Sequence, residues 1–420
     1  MQIVCFCPIS CMSQYPQMPF LIDFQKVTKV TLALWIFLNV SLHTLHALFP
    51  LLDGRVNITS TISEQYDSNV GASPDDPISD QILTMQSGLV FSREVGLVAV
   101  NANMGLEIGR FHQDRRLNYE NSRASLSFNY PNGSDSNLTA SINSKFLEAS
   151  SANPIIGERV GSETLSLSTK LRYNFLPIYG VGVNFDRNFV TSKIAPSGTQ
   201  LSDVEQQSFG AQFFYTYSEL LEFKAVYRRR ENLITGIASD SISVLNANSM
   251  SGIDETFSVG ADGQLTALLT GGINVGVQRR SLNNGFEAPA SFFSVTNFVW
   301  IIRPDVTQVT LSINADSTPT PTNDSILGIN YNLSINHTFS AFFSGSAGVS
   351  YGTTEFTSTP SLGPGSAFRE DKNYGVNLSF NAVFNEYLQT GISGNHTWTE
   401  TNSGSGFNRT SLGVNVNLKF

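Results

Sequence analysis

Alternation of apolar and polar residues is the main pattern along this chain. At 411–420, apolar residues from Leu412 to Phe420 alternate with Ser, Gly, Asn and Lys, and the same period of two recurs at 373–384, 329–336 and 165–173. Successive side chains of a β-strand point to opposite faces, so each segment predicts a strand with one apolar and one polar face. The segments run for roughly 9 to 14 residues, the length that a tilted strand needs to cross a bilayer.

The connections between these segments alternate in length. Short turns are predicted near 92–95, 131–136, 176–178, 218–220, 266–269, 303–305, 337–341 and 385–387. Long polar loops are predicted near 65–79, 109–117, 149–162, 188–203, 231–250, 281–291, 316–324, 354–370 and 400–405. Short periplasmic turns, long external loops and an even strand count are typical of outer-membrane barrels.

We therefore predict an all-β fold, a transmembrane antiparallel up-and-down β-barrel of about 18 strands, with 16 as the alternative. A soluble β-sandwich or a β-helix is the competing interpretation. Strands of uniform bilayer length disfavour the sandwich, and the lack of a fixed repeat disfavours the β-helix.

Aromatic residues cluster beside the predicted short turns, as at Tyr173, Phe175, Phe214, Phe339 and Phe384. Amphipathic rings at the depth of the lipid headgroups form a girdle around membrane barrels. A girdle on the short-turn side is the prediction, and packing of the rings beneath hairpins is the alternative.

The amino-terminal segment has the pattern of a secretory signal. Lys26 and Lys29 precede a short apolar run at 30–42, and the small residue Ala47 follows it. We expect residues 1–47 to be a cleaved targeting segment, with Met18 as an alternative start, and residues 48–420 to form the barrel. A helical membrane anchor is the alternative for this segment.

Composition supports this division and narrows the class of protein. Of the 420 residues, 41% are hydrophobic and only 14% charged, and the mean hydropathy is −0.05. Such a chain lacks the repeated apolar runs of about 20 residues of a helical membrane protein. The net charge of −9 makes nucleic acid an unsuitable partner. Cys5, Cys7 and Cys11 are the only cysteines, so we expect no disulfide framework, and without a fourth ligand no zinc site. No cofactor is predicted.

Charged residues fall into two predicted groups. One group has the parity of the polar face and would line the lumen, where fixed charges set ion selectivity: Lys170, Arg172, Glu222, Lys224 and Arg228. Salt bridges across a closed lumen are the alternative for that group. The other group would lie at the external rim and contact lipopolysaccharide phosphates or an anionic solute: Arg229, Arg230, Arg279 and Arg280, with Arg110, Arg115 and Arg116 beside another loop. Ordinary pairing with loop acids such as Asp114, Glu120 and Glu231 is the alternative there.

The common catalytic signatures are absent from the sequence. Beyond residue 47 the histidines are His112, His337 and His396. His396 lies beside Thr397 and Glu400, so a barrel hydrolase built on it is the weaker alternative to a protein that is not an enzyme.

Two short stretches resemble known families. The apolar positions Leu412, Val414, Val416, Leu418 and Phe420 form a terminal strand that is similar to the carboxy-terminal signal of bacterial outer-membrane barrels. That resemblance implies recognition of this strand by the barrel-assembly machinery.

The segment ITSTISEQYDSNV at 58–70 resembles the first strand of the putative β-barrel porin 2 family, with the Tyr-Asp-x-Asn-like match at 66–69. This second resemblance implies an association with exopolysaccharide or capsule systems. The resemblance in overall architecture extends over the whole mature chain. The resemblance in sequence motif is limited to these two stretches.

The function expected from these observations is a porin-like channel for hydrophilic solutes in the bacterial outer membrane, since a lumen of this strand number exceeds what side chains can fill. A link to exopolysaccharide export is what the family resemblance adds. A non-conducting structural or surface-binding barrel is the alternative. The expected partners are outer-membrane lipid and lipopolysaccharide, the barrel-assembly machinery, and a polysaccharide or small hydrophilic solute.

Overall fold

The computed structural model describes residues 55–131, 136–153, 157–199, 201–235, 251–283, 285, 287, 290–318, 326–356, 369–402 and 406–419. The predicted targeting segment, the three cysteines and Phe420 lie outside the described residues. In the described part of the chain, no helix is long and apolar enough to cross a membrane.

Eighteen β-strands make up the fold. They are β1 (Arg55–Asp67), β2 (Asp80–Val95), β3 (Val98–Phe111), β4 (Tyr119–Tyr130), β5 (Leu138–Asn153), β6 (Glu158–Leu176), β7 (Tyr179–Ser192), β8 (Asp203–Ser218), β9 (Leu221–Thr235), β10 (Gly252–Thr266), β11 (Leu269–Leu282), β12 (Ser291–Arg303), β13 (Thr307–Thr318), β14 (Ile326–Thr338), β15 (Phe343–Phe356), β16 (Arg369–Val383), β17 (Leu388–Thr401) and β18 (Phe407–Lys419).

Every strand pairs antiparallel with its neighbours in sequence, and β1 pairs with both β2 and β18. The sheet therefore closes on itself and has no free edge. A spanning sheet needs this closure because lipid cannot hydrogen-bond unpaired backbone groups. The predicted antiparallel barrel of 18 strands is confirmed.

The β5–β6 hairpin differs from the prediction. Residues 149–162 were expected to form a long loop, but β5 continues to Asn153 and β6 begins at Glu158. The strand period persists through this polar segment, and β6 reaches 19 residues. This hairpin is the longest of the described strand pairs.

The barrel exterior is apolar between two rings of aromatic side chains. The ring on the short-turn side includes Phe175, Phe339 and Phe384, all of them exposed, in agreement with the predicted girdle. A second ring runs across β14–β17 on the long-loop side, and neighbouring members contact each other in the order Tyr331, Tyr351, Tyr374 and Trp398, with centroid distances of 6.1, 5.2 and 4.9 Å.

The distance between the two rings matches the thickness of a bilayer. Phe384 follows Tyr374 by ten positions, or about 33 Å along a strand at about 3.3 Å per residue. A tilt of about 40° reduces this to about 25 Å, the height of the apolar band of an outer-membrane barrel.

Candidate functional site

The lumen face of β14–β18 is built from amides, hydroxyls and glycines along its middle. The register places Asn332 opposite Ser350, Asn377 opposite Gly348, and Asn395 opposite Ser411. Their neighbours in sequence, such as Leu333 and Leu378, face outward and are exposed. This wall offers hydrogen-bond donors and acceptors without net charge.

The opposite wall carries charged side chains. Arg172 donates to both carboxylate oxygens of Glu222 at 2.9 and 2.5 Å, and its guanidinium lies 4.1 Å from the Phe214 ring centroid. Phe214 therefore points inward and does not join the predicted girdle. Lys224 pairs with Asp262 on the neighbouring strand. The five predicted lumen charges, Lys170, Arg172, Glu222, Lys224 and Arg228, all have inward parity in the register.

Higher on the same wall, five charged side chains form a cluster in which Asp254, Arg230 and Arg280 are buried and Arg228 and Asp316 are half-buried. Asp254 is fully buried and accepts from Arg230 at 2.8 and 3.0 Å and from Arg280 at 2.6 and 3.0 Å. Asp316 accepts from Arg228 at 3.1 Å and from Arg230 at 3.1 Å. We call Arg228, Arg230, Arg280, Asp254 and Asp316 the arginine cluster.

The arginine cluster shows that the wall curves tightly here. Arg228 and Arg230 lie on β9 while Asp316 lies on β13, and three strands separate them. Strands are spaced by about 4.8 Å, so a flat sheet would hold these side chains too far apart to bond. At the long-loop end of β9–β13 the sheet is therefore strongly curved, with its concave side toward the lumen.

The positions of Arg230 and Arg280 differ from those expected from the sequence. They were expected at the external rim, but both are buried inside the barrel with Asp254. The strand period explains this, because Arg230 shares the inward parity of Arg228, and Arg280 shares that of the buried Gln278. Arg229 and Arg279 face outward, and both pair in register with Glu255. Arg229 reaches that carboxylate at 3.9 Å.

Two further arginines, one near the end of β3 and one in the loop that follows it, pair with acids beside them. Arg110 meets Glu120 at 2.5 Å, and Arg116 meets Asp114 at 2.7 Å. The side-chain hydrogen bond from Arg116 holds the pKa of the Asp114 carboxyl below its ordinary value of 3.8. These contacts favour the ordinary pairing that was the alternative to lipopolysaccharide binding for this part of the rim. Arg115 lies in the same short 3-10 turn, Arg115–Leu117.

The Tyr66–Asn69 segment closes the barrel at the β1–β18 seam. Asp67 is fully buried and accepts from Arg409 of β18 at 2.5, 3.0 and 3.1 Å. Ser68 exchanges two hydrogen bonds with Thr410. The Asn69 amide donates to the carbonyls of Ser73 and Asn408 at 2.8 and 3.2 Å. The motif thus joins the two terminal strands and fixes the start of the loop at 68–79.

That loop and the β5–β6 hairpin meet at the external mouth. Gly71 approaches so closely that a Cβ there would lie 2.3 Å from the Gly157 carbonyl oxygen. Val70 of the loop packs on the inward-facing Phe111, and the Arg159 guanidinium from β6 lies 5.4 Å from the Phe111 ring centroid. The mouth is therefore narrowed on the β1–β6 side by segments of the chain itself.

The last strand presents its apolar residues to the exterior. Leu412 and Val414 are exposed on the outer face, and Val416 and Leu418 share their parity, while Phe420 lies outside the described residues. His396 also faces outward, where its Nδ1 lies 2.8 Å from Thr410 Oγ1. Thr397 points to the opposite face of β17, so the two residues do not form one site.

The carboxy-terminal part of the chain, residues 245–420, matches the family model described as "Putative beta-barrel porin 2". No curated protein matches the chain at a significant level.

Solved structures with a similar arrangement include OpdK from Pseudomonas aeruginosa, crystallised with vanillate, at 12% identity and a TM-score of 0.48, covering 87% of this chain and 99% of that one. OccAB3 from Acinetobacter baumannii has 10% identity and a TM-score of 0.48, with 88% and 100% of the two chains covered. OccK2 (OpdF) from Pseudomonas aeruginosa, in complex with glucuronate, has 10% identity and a TM-score of 0.45, with 88% and 97% covered. The strand register of this chain by itself establishes the closed barrel.

A closed antiparallel barrel with an apolar exterior band and a family match to porins is a bacterial outer-membrane protein. The chain is a porin-like outer-membrane β-barrel, and its residues 245–420 resemble the putative β-barrel porin 2 family.

Proposed function

We propose that the barrel conducts small hydrophilic solutes through its lumen. The observation that carries this proposal is the uncharged amide and hydroxyl wall along the middle of β14–β18, which faces the charged wall of β6–β10. Water and hydroxylated solutes can exchange hydrogen bonds with such a surface at low cost, because every group on it both offers and accepts bonds readily.

A recess on the charged wall supports the same proposal. It is an open depression of about 550 Å³ and is lined by Lys224, Asp262, Asn274 and Asn297 among others. Volumes of about 300 to 1,000 Å³ are usual for small-molecule sites, so this recess has the size for a solute to pause within the lumen.

Planar-bilayer recording tests the proposal. Purified and refolded protein should give discrete conductance steps, and Lys170→Glu should move the reversal potential in a salt gradient toward cation selectivity, because Lys170 is exposed on the lumen face. Arg229→Glu is the matched control, since the same charge change on the outer face should leave the reversal potential unchanged. Correctly folded protein without conductance would reject the proposal.

A non-conducting surface-binding barrel is the second candidate. The contact between the loop at 68–79 and the β5–β6 hairpin favours it, because segments packed across the mouth could close it. If the barrel does not conduct, no variant of the mouth residues should give conductance. If it is a channel, weakening the contact between the loop at 68–79 and the β5–β6 hairpin should raise its conductance.

We also propose a link to exopolysaccharide export, which rests on the family resemblance alone. Genes for polysaccharide synthesis and export beside the gene for this protein would support the link, and their absence would remove its main support. Recognition of β18 by the barrel-assembly machinery is a further proposal, and exchange of Leu412 and Val414 for Asn should reduce the amount of folded protein in the outer membrane.

We further propose that the chain is not an enzyme, because His396 and Thr397 face opposite sides of β17. A lipid- or glycan-cleaving activity that disappears in His396→Ala would contradict this.

A further inference from the structure

Asparagine recurs at every level of the lumen face of β14–β18. The strand register divides this face into six consecutive rows, each two residues further along its strands than the one before. Ten positions along β16 separate the first row, at Asn373, from the last, at Val383, which is also the separation of the two aromatic rings. Every row holds at least one asparagine, and the members of this asparagine wall are Asn330, Asn332, Asn336, Asn373, Asn377, Asn381, Asn395, Asn415 and Asn417. The asparagine wall therefore extends over the full height of the apolar band.

Most amides of the asparagine wall are free to bind a solute. Two of the nine are engaged: Asn373 accepts from the Thr399 hydroxyl at 2.7 Å, and Asn417 accepts from the Thr61 hydroxyl at 2.8 Å. The other seven side chains have no hydrogen-bond partner among the described residues, and all of these except the half-buried Asn415 are exposed. Each free primary amide offers two N–H donors and one carbonyl acceptor.

Glycines beneath these side chains keep the wall flat. A Cβ on Gly348 would lie 2.5 Å from Asn377 Oδ1, and a Cβ on Gly352 would lie 2.6 Å from Asn330 Oδ1. At Gly391, two asparagine oxygens lie 2.6 and 2.7 Å from the position that a Cβ would take. These asparagine side chains therefore lean over a glycine of the neighbouring strand instead of projecting across the lumen. This leaves room for an extended molecule to lie along the wall.

The asparagine wall is almost without charge. Its six rows are made of asparagine, glutamine, serine, threonine and glycine, and the exceptions are Arg409, Phe407 and Val383. Arg409 is paired with the buried Asp67. Neutral amides give ions no preference, whereas they match hydroxyl groups, which donate and accept at the same time. Such hydrogen bonds are individually weak, and weak binding at many successive positions allows a solute both to enter and to leave.

We propose that the asparagine wall is the recognition track for uncharged, hydroxyl-rich chains, namely neutral oligosaccharides, which bind through several sugar units at once along successive rows. This inference rests on the proposed conduction and names the class of solute for it. Asn377 and Asn395 form the centre of the track, because they lie directly opposite each other on β16 and β17, with Cβ atoms about 4.5 to 5.5 Å apart. A longer chain meets more rows, so its residence time should rise with the number of sugar units.

Blockade of the single-channel current by sugars tests the track. In potassium chloride, maltohexaose should interrupt the current for longer than maltose does. It should also interrupt the current for longer than hexagalacturonate, a charged chain of equal length. The double variant Asn377→Leu/Asn395→Leu keeps the size of both side chains and removes both amides. It should shorten the maltohexaose blockades at least about fivefold, the loss expected when two ordinary hydrogen bonds are removed.

Asn143→Leu is the matched control for the double variant. Asn143 is exposed and shares the lumen face of Lys170, because Lys170 is the register partner of Ser141. It lies five positions from the short-turn end of β5, and Asn377 lies six positions from that end of β16. The same substitution outside the asparagine wall should leave the maltohexaose blockades unchanged.

Saturation-transfer NMR of the refolded protein in detergent gives a second readout that does not need conduction. The unaltered protein and Asn143→Leu should transfer saturation to maltohexaose, and the double variant should transfer less. If the barrel conducts but maltohexaose does not block it, the track is rejected and conduction stands. If the barrel does not conduct while saturation transfer depends on Asn377 and Asn395, conduction is rejected and the track stands.

The absence of both conductance and saturation transfer would overturn both proposals. Blockades that do not lengthen with the sugar chain, that persist in the double variant, or that last longer with hexagalacturonate would overturn the track alone.

Discussion

The ion pair at the barrel seam provides the sharpest test of how the fold is held closed. Asp67 is fully buried at the end of β1, and it accepts three hydrogen bonds from Arg409 of β18 and one from the Asn69 backbone. Asp67→Ala removes this acceptor and leaves the Arg409 guanidinium without its carboxylate.

Loss of one partner of a buried ion pair costs about 3 to 5 kcal/mol. The Arg409 side chain is 27% exposed and recovers part of its hydration, so we expect Asp67→Ala to lower the free energy of unfolding by about 2 to 3 kcal/mol, at or just below the lower limit of that range. Arg409→Lys keeps the charge but not the forked geometry, and should cost less than Asp67→Ala.

The assay is equilibrium urea unfolding of protein refolded into phospholipid vesicles, followed by tryptophan fluorescence and by the mobility shift of heated against unheated samples on gels. Glu120→Ala is the matched control, because the Arg110–Glu120 pair has the same 2.5 Å separation but side-chain exposures of 42% and 64%. Exposed pairs contribute only about 0 to 1 kcal/mol. The account of the seam would be refuted if Asp67→Ala lost no more stability than Glu120→Ala, or if Asp67→Ala and Arg409→Ala were additive in a double-mutant cycle.

Three further predictions concern other parts of the molecule. Asp254→Ala should lower the free energy of unfolding by more than about 3 kcal/mol, or prevent folding, because it leaves two buried guanidinium groups without that carboxylate. Its control is Glu255→Ala, at the next residue, which is exposed; this change should lower the free energy of unfolding by less than about 1 kcal/mol in the same urea assay. The pKa of Asp114 should lie below 3.8 in a carboxyl NMR titration. The pairing of Asp114 with Arg116 should therefore stabilise the 3-10 turn above about pH 4, and this stabilisation should be lost as the pH falls through the lowered pKa. Arg116→Gln should raise the pKa of Asp114, and an unchanged pKa would contradict the assignment. Gly71→Ala should force the loop at 68–79 away from the β5–β6 hairpin and increase single-channel conductance, and an unchanged conductance would show that this contact does not limit the mouth.

The strand period predicted the barrel well, because each spanning strand must present one apolar face to lipid. That requirement produces a visible alternation of apolar and polar residues in the sequence. The same period also indicates that the arginines near the long-loop end of β9 alternate between the lumen and the exterior. Tyr227, Arg229 and Leu233 are exposed on the outer face of β9, so Arg228 and Arg230 had to face inward. Arg228 was predicted in the lumen from its parity, whereas the rim position predicted for Arg230 followed from its nearness to the strand end and not from its parity.

Contacts between strands that are distant in the sheet could not be predicted in this way. The bond from Arg230 to Asp316 depends on how tightly the wall curves between β9 and β13. The position of Arg159 over Phe111 depends on the β5–β6 hairpin bending across the mouth. Neither feature leaves a periodic pattern in one strand, because each arises from the arrangement of several strands in space. The seam motif at 66–69 stands out in the sequence only by its resemblance to a family, and its partner Arg409 lies too far along the chain for a local pattern to reveal the pair.

Cysteine accessibility along β16 tests the central claim, a polar lumen inside an apolar exterior, most directly. The chain has no cysteine after Cys11, so Asn377→Cys and Leu378→Cys can be compared in planar bilayers with a charged, membrane-impermeant thiol reagent. We predict that the reagent modifies Asn377→Cys and reduces its conductance, because that position faces the lumen, and that it leaves Leu378→Cys unchanged on the lipid face. Modification and block of Leu378→Cys with no effect on Asn377→Cys would contradict the account.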